Sequence, residues 1–172
     1  MTIESLQAVY FDTSLITTAA IQPAVEHHEA AISFCERTIA ARSSVYFSEL
    51  MRLEYAQALR ALSTTVDEAT RRAFRLHRWD QVGVRRQWME YGSQRLDVFL
   101  SQFDWVEVAL DRDAINAARD LMISCNLSSY DAAHVATALS LGITDLAAVD
   151  GHFERASHLL TIHTVRTPPE AS

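Results

Sequence analysis

Ala8-Val9-Tyr10-Phe11-Asp12-Thr13-Ser14 is the stretch from which the fold can be read. Four apolar residues run directly into an aspartate and two hydroxyls. A short uninterrupted apolar run suits a strand buried on both faces, as in a parallel sheet. In open parallel sheets, ligands collect at the carboxyl ends of the strands. Asp12 therefore falls where chemistry is expected. Thr13 and Ser14 are placed to cap a short helix ending before Pro23.

Working outward, the same grammar repeats. Strands are predicted at Ser44–Phe47, Trp105–Leu110, Asp145–Asp150 and Thr161–Val165. Helices are predicted between them. One spans Val25–Ala41, with Val25, Ile32, Cys35 and Ile39 on its apolar face. A second follows Ser48 as N-cap and reaches Leu62. A third starts at Asp111, with Ile115, Ala118, Met122 and Cys125 on one face. A fourth follows Ser128 and ends at Gly142, a C-cap glycine. Asp145–Asp150 repeats the opening pattern, a small apolar strand delivering an aspartate. Alternating strand and helix point to an α/β fold with a parallel sheet and right-handed crossovers.

The segment from Ser63 to Leu100 differs. It is helical in character and rich in arginine, with Gly83 and Gly92 as the expected breaks. Arg71, Arg72, Arg75, Arg78, Arg85 and Arg86 face one acid, Asp80, and Trp79 and Trp88 are interleaved. Two readings stand side by side: a solvated helical face with aromatic anchors, or an arm contacting phosphates or a partner.

The chain has 172 residues, which suits one domain, 1–172, with residues 167–172 read as a disordered tail. No apolar run approaches the ~20 residues of a membrane span. The N-terminus lacks the basic region of a signal peptide, so a cytoplasmic protein is expected. Cys35 and Cys125 form no redox or metal motif and are read as buried thiols. The net charge of −7 argues against simple nonspecific nucleic-acid binding. All fifteen basic residues are arginine, so mechanisms needing a lysine, including a P-loop or a Schiff base, are excluded. An aspartyl-phosphate phosphatase would carry a second aspartate two positions after Asp12, where Ser14 stands.

Four acids recur at strand ends and on neighbouring helices: Asp12, Glu54, Asp131 and Asp150. Each alone has a structural explanation. Asp131, for one, fits a capping box with Ser128. Together, converging carboxylates repel one another unless a cation neutralises them. Hard oxygen donors without paired His or Cys suit Mg2+ or Mn2+ rather than Zn2+.

Phe11-Asp12-Thr13-Ser14, Ser48-Glu49-Leu50-Met51-Arg52-Leu53-Glu54, Asp131-Ala132-Ala133-His134-Val135-Ala136-Thr137-Ala138 and Ala148-Val149-Asp150-Gly151-His152-Phe153 resemble, in order, the motifs of PIN-domain ribonucleases. The VapC-type toxins of toxin–antitoxin pairs are the nearest group. The resemblance covers residues 8–166. It implies a three-layer sandwich with a central, mostly parallel sheet. It also implies that Asp12, Glu54, Asp131 and Asp150 hold one or two Mg2+ or Mn2+ ions and activate water to cut RNA. Thr13 or Ser14 matches a polar position beside the first acid. The family spacing favours Glu54 over Glu49, which sits in a first helical turn. Ala148 stands where the family often has Thr or Ser, and the Ser63–Leu100 segment is longer than in a minimal member. His134, one turn after Asp131, has two readings, touching substrate or orienting Asp131 on one side and a supporting or packing residue on the other, and the second is favoured. His152, His158 and His163 show no ligand spacing. An antitoxin protein inserting near the acids and a homodimer are further expectations of the resemblance.

Overall fold

The structure is a computed structural model that describes residues 6–21, 26–65 and 81–167. Its elements follow in chain order: β1 Ala8–Phe11, α1 Thr13–Ile21, α2 His28–Ala40, β2 Ser44–Ser48, α3 Leu50–Thr65 and α4 Gln81–Leu100. Then come β3 Asp104–Val108, α5 Arg112–Ser124, α6 Ser129–Ser140, β4 Asp145–Ala148, a 3-10 helix Gly151–Ala156 and β5 Thr161–Thr164. The five strands form one sheet in the order β3-β2-β1-β4-β5, with every pairing parallel. β1 is central, as its continuous apolar run requires. The chain fills one side of β1 with β2 and β3, then crosses to the other with β4 and β5. The switch point between β1 and β4 is where such sheets open a crevice.

Strand alternation divides the core in two. Val9 and Phe11 of β1, Val45 and Phe47 of β2 and Ala147 of β4 face a layer built from α1 to α4. Tyr10, Leu146 and Ala148 face the opposite layer, α5, α6 and the 3-10 helix. The result is a three-layer α/β/α sandwich. Among the described residues no helix is long and apolar enough to cross a membrane.

Several expectations are corrected in detail. Gly83 and Gly92 break nothing, because both lie inside α4. At Gly92 a Cβ would stand 2.4 Å from Leu59 Cδ1, so the missing side chain lets α4 close onto α3. In α2 the buried face is Ala31, Phe34, Cys35 and Thr38, while Ile39 is exposed. In α5 it is Ala114, Ala118, Leu121 and Cys125, while Ile115 and Met122 are exposed. Small residues win on α5 because alanines of α6, Ala132, Ala133 and Ala136, share its cluster and allow close helix approach. Ser48 ends β2 rather than capping α3. Arg71, Arg72, Arg75, Arg78 and Trp79 lie outside the described residues, as does the tail beyond Thr167. Arg85 and Arg86 are exposed on α4, and Trp88 is a core residue.

Helix ends obey local chemistry. Asp111 caps α5 by accepting from the Ala114 N–H at 2.8 Å. Past α6, Gly142 takes φ +68°, the Ile143 N–H bonds to Ala138 O, and the Gly142 N–H bonds to Leu139 O. That is the Schellman pattern, and it needs a residue at ease in the left-handed region. Both cysteines are free and buried, and burial pushes the Cys35 thiol up to about 12.

Candidate active site

β1 stops at Phe11 and delivers Asp12 into the crevice, where its backbone N–H bonds to Ala147 O of β4 at 2.9 Å. The side chain is 5% exposed. The Ser14 N–H donates to Asp12 Oδ2 at 2.8 Å, the turn that opens α1. Among the described residues Asp12 Oδ1 accepts no hydrogen bond and faces His134 Nε2 at 3.6 Å. Burial pushes the Asp12 carboxyl above its ordinary value, against the opposing pull of His134 and the Ser14 bonds.

Glu54 reaches the same place from α3. Thr13 Oγ1 donates to Glu54 Oε2 at 2.6 Å, and His134 Nε2 lies 2.6 Å from that same oxygen. Burial alone would raise the Glu54 carboxyl, but the His134 bond and charge and the Thr13 bond outweigh it and hold it below the ordinary value. Glu49, by contrast, points away. Its Oε1 accepts from the Leu110 N–H at 3.2 Å and secures the end of β3.

His134 is completely buried on α6. Burial disfavours its charged form, yet the bond to Glu54 and the negative charges of Asp12, Glu54 and Asp131 carry its pKa above the ordinary value. The Tyr10 hydroxyl stands 2.9 Å from Nδ1 and accepts from the Ser48 N–H at 3.0 Å. The expected role for His134, packing or supporting Asp131, is thus only part of its surroundings. Its direct partners are Glu54 and Tyr10, and Asp131 acts on it through charge.

Asp131 and Asp150 stand apart from this knot. Asp131 is in the first turn of α6, where its N–H donates to Ser128 Oγ at 3.2 Å. Asp150 caps the 3-10 helix, its Oδ1 accepting from the His152 N–H at 2.9 Å, with the His152 ring 3.3 Å away. Ser14 links Asp150 to Asp12 through the backbone, since its Oγ accepts from the Val149 N–H at 3.0 Å and the Asp150 N–H at 3.3 Å. A hydroxyl therefore serves the end of β4 from α1, although Ala148 supplies none.

The sequence reading missed Tyr10, Ser48 and Arg166. Tyr10 gave a signal: it is the one hydroxyl in an otherwise apolar strand, and a buried hydroxyl needs a partner. Arg166 donates through Nε to Val149 O at 2.8 Å, bringing a guanidinium to the Asp150 end of the crevice. Sequence alone gave no hint of that.

Two carboxylate oxygens, Asp12 Oδ1 and Glu54 Oε1, are thus left without hydrogen bonds among the described residues. Hard carboxylate oxygens with free lone pairs, one on buried Asp12 and one on half-buried Glu54, fit a hard divalent cation in kind. Among the described residues no group of three or more His, Cys, Asp and Glu forms a metal-holding cluster, and the fit rests on Asp12 and Glu54, which share His134 Nε2 as a neighbour.

The family model of the PIN domain matches residues 9–159. A search of curated proteins finds no match. Among solved structures the chain is similar to VapC20 of Mycobacterium tuberculosis, a sarcin-ricin loop cleaving toxin, with 20% identity and a TM-score of 0.57 over 92% of this chain and 99% of that one. It is also similar to PAE2754 of Pyrobaculum aerophilum, with 19% identity and a TM-score of 0.48 over 92% of this chain and 84% of that one. At such identity the first likeness speaks for the fold. With the family model spanning most of its length, and with a parallel five-stranded sheet carrying acids at its carboxyl edge, the chain belongs to the PIN domain family.

Proposed function

We propose that the protein is a metal-dependent endoribonuclease and the toxin of a toxin–antitoxin pair, using Mg2+ or Mn2+. The observation that carries this reading is the meeting of buried Asp12 with Glu54 at the carboxyl edge of the sheet, each keeping one oxygen unused among the described residues. Asp12 and Glu54 would hold the cation, with Asp131 and Asp150 as further carboxylates at its margin. A divalent cation there supplies charge stabilisation at a phosphodiester and lowers the pKa of water.

The chain's own groups do the rest. The Ser14 N–H fixes Asp12 by Oδ2, which leaves Oδ1 for the cation. The Thr13 hydroxyl fixes Glu54 by Oε2. Ser14 Oγ holds the end of β4, and with it Asp150, against α1. Arg85 and Arg86, exposed on α4, are available to RNA phosphates or to a protein partner, and Arg71, Arg72, Arg75 and Arg78 extend the same charge along the sequence.

RNA is read largely by shape and by splayed bases, so the acids set the chemistry and the groove sets the target. The sarcin-ricin loop is one candidate target, by likeness to VapC20. An antitoxin protein, a homodimer and a cytoplasmic location complete the proposal by family likeness. The test is RNA cleavage by purified protein with Mg2+ or Mn2+, beside Asp12→Asn. Cleavage lost in the variant and in chelator supports the proposal. Failure to cleave any cellular RNA, with both proteins equally harmless in cells, refutes it.

A second reading is a non-catalytic PIN scaffold binding RNA or a protein. The pairing of Glu54 with His134 favours it, because that bond already balances one of the acids. RNA binding that survives loss of Asp12 and Asp131, with no metal uptake, would select this reading.

A further inference from the structure

We infer that His134 is a positioning residue for the cation site: it holds Glu54 by Oε2, so that Oε1 is the atom left to meet the cation. This rests on the metal-dependent reading above.

Both bonds that Glu54 accepts fall on one oxygen, from Thr13 Oγ1 and from His134 Nε2, each at 2.6 Å. A carboxylate with a single bond can pivot about it. Two donors on one oxygen from different helices, α1 and α6, remove that freedom and distinguish the two oxygens. Nε2 faces carboxylate oxygens of both Glu54 and Asp12, so it carries a proton in the neutral and the charged imidazole alike. The hold therefore does not depend on whether the ring is charged.

The imidazole is itself held from behind. Tyr10 OH meets Nδ1 at 2.9 Å, and the Tyr10 ring packs edge-on at 5.8 Å between centroids. The Ser48 N–H, at the end of β2, fixes the Tyr10 oxygen at 3.0 Å. The chain of contacts runs from the Ser48 backbone through Tyr10 and His134 to Glu54. Complete burial keeps His134 from touching RNA, so its action passes through Glu54. Asp131 stands one turn earlier on α6, so the same bond sets its helix against α3, which carries Glu54.

Removing the partner that orients a metal ligand costs roughly 10–100-fold in metal affinity. The experiment is a calorimetric titration of Mn2+ into wild type, His134→Leu and His134→Gln without RNA, with thermal midpoints recorded for each. Expected is Mn2+ binding roughly 10–100-fold weaker in H134L, with most of it restored in H134Q, whose amide keeps an N–H donor. Wild-type affinity in H134L overturns the inference, and so does equal loss in both variants, which marks a merely structural role. A wild type that takes up no Mn2+ overturns the metal-dependent reading itself, and the inference with it. Should H134L not fold, Tyr10→Phe carries the test, since it frees Nδ1 without touching a carboxylate. A folded Y10F with weakened Mn2+ binding supports the inference, and one with wild-type binding overturns it.

Discussion

Glu54 and His134, eighty residues apart in sequence, meet at 2.6 Å between Oε2 and Nε2. The imidazole is fully buried and the carboxylate is partly exposed, so the pair joins the core of α6 to the rim of the crevice.

This pair should show strong coupling. Removing one member of a buried ion pair strands the other and costs about 3–5 kcal/mol. Glu54 is partly exposed, so Glu54→Leu should cost nearer the low end, about 3 kcal/mol. Glu54→Leu with His134→Leu should lose less than the sum of the single variants, because the bond between the two is lost only once, although Asp12 loses its His134 neighbour in both His134 variants. Urea unfolding of the four proteins measures this. Additive losses would show that the two residues act independently.

The pH dependence of stability follows from the directions of three shifts. His134 is raised, so its contribution is complete below its unfolded value of about 6.5 and is lost as pH climbs through the higher folded value. Asp12 is raised as well, so its contribution is present below about pH 3.9 and is lost as pH rises through its folded value. Glu54 is lowered, so its contribution is present above about 4.3 and is lost only as pH falls through its folded value. Across pH 6.5 to 9 the wild type should therefore lose stability, and His134→Leu should lose less. Urea midpoints along that range check the slope. A wild type that grows steadily more stable toward pH 9 would contradict the assignment.

The strands were legible because their physics is local. A continuous apolar run ending in a polar turn has few alternatives to a buried parallel strand, and β1 and β4 both obeyed it. Glu54 was preferred to Glu49 only by family spacing, and the fold puts it beside Thr13 and His134. Helix phase was less legible. Ile115 and Met122 look like core residues by size, but Ala114 and Ala118 allow close packing and take the buried side. The Tyr10–His134 contact spans 124 residues, and no periodicity within either segment encodes it.

Gly92 shows the same limit and gives a test. Glycine inside a helix normally costs about 1 kcal/mol relative to alanine, which is why a break was expected there. Here an added Cβ would meet three Leu59 side-chain atoms within 3 Å, and Leu59 is 1% exposed. The overpacking penalty, typically 1–3 kcal/mol, should outweigh the propensity gain. Gly92→Ala is expected to lower stability by about 1 kcal/mol, and adding Leu59→Val should relieve part of the clash. Thermal unfolding decides it, and a more stable G92A would show that α3 and α4 adjust freely.

Asp12 should separate stability from activity most clearly. The fold keeps this carboxylate out of water, and burial raises its pKa, so the charged form is held at a cost. Asn is nearly isosteric and its carbonyl can still accept from the Ser14 N–H that now bonds Oδ2. Asp12→Asn removes the desolvated charge and keeps the turn. It also removes one of the three negative charges that act on His134, while Glu54 remains as the closest partner. The variant is therefore expected to be as stable as wild type or to gain about 0.5–2 kcal/mol, the usual size of relief at a functional site. Mn2+ affinity and RNA cleavage should fall together, since Oδ1 no longer carries a charge to offer. Melting curves beside Mn2+ titration check both halves. A D12N that melts well below wild type would place Asp12 among the residues that hold the fold and not among those that use it.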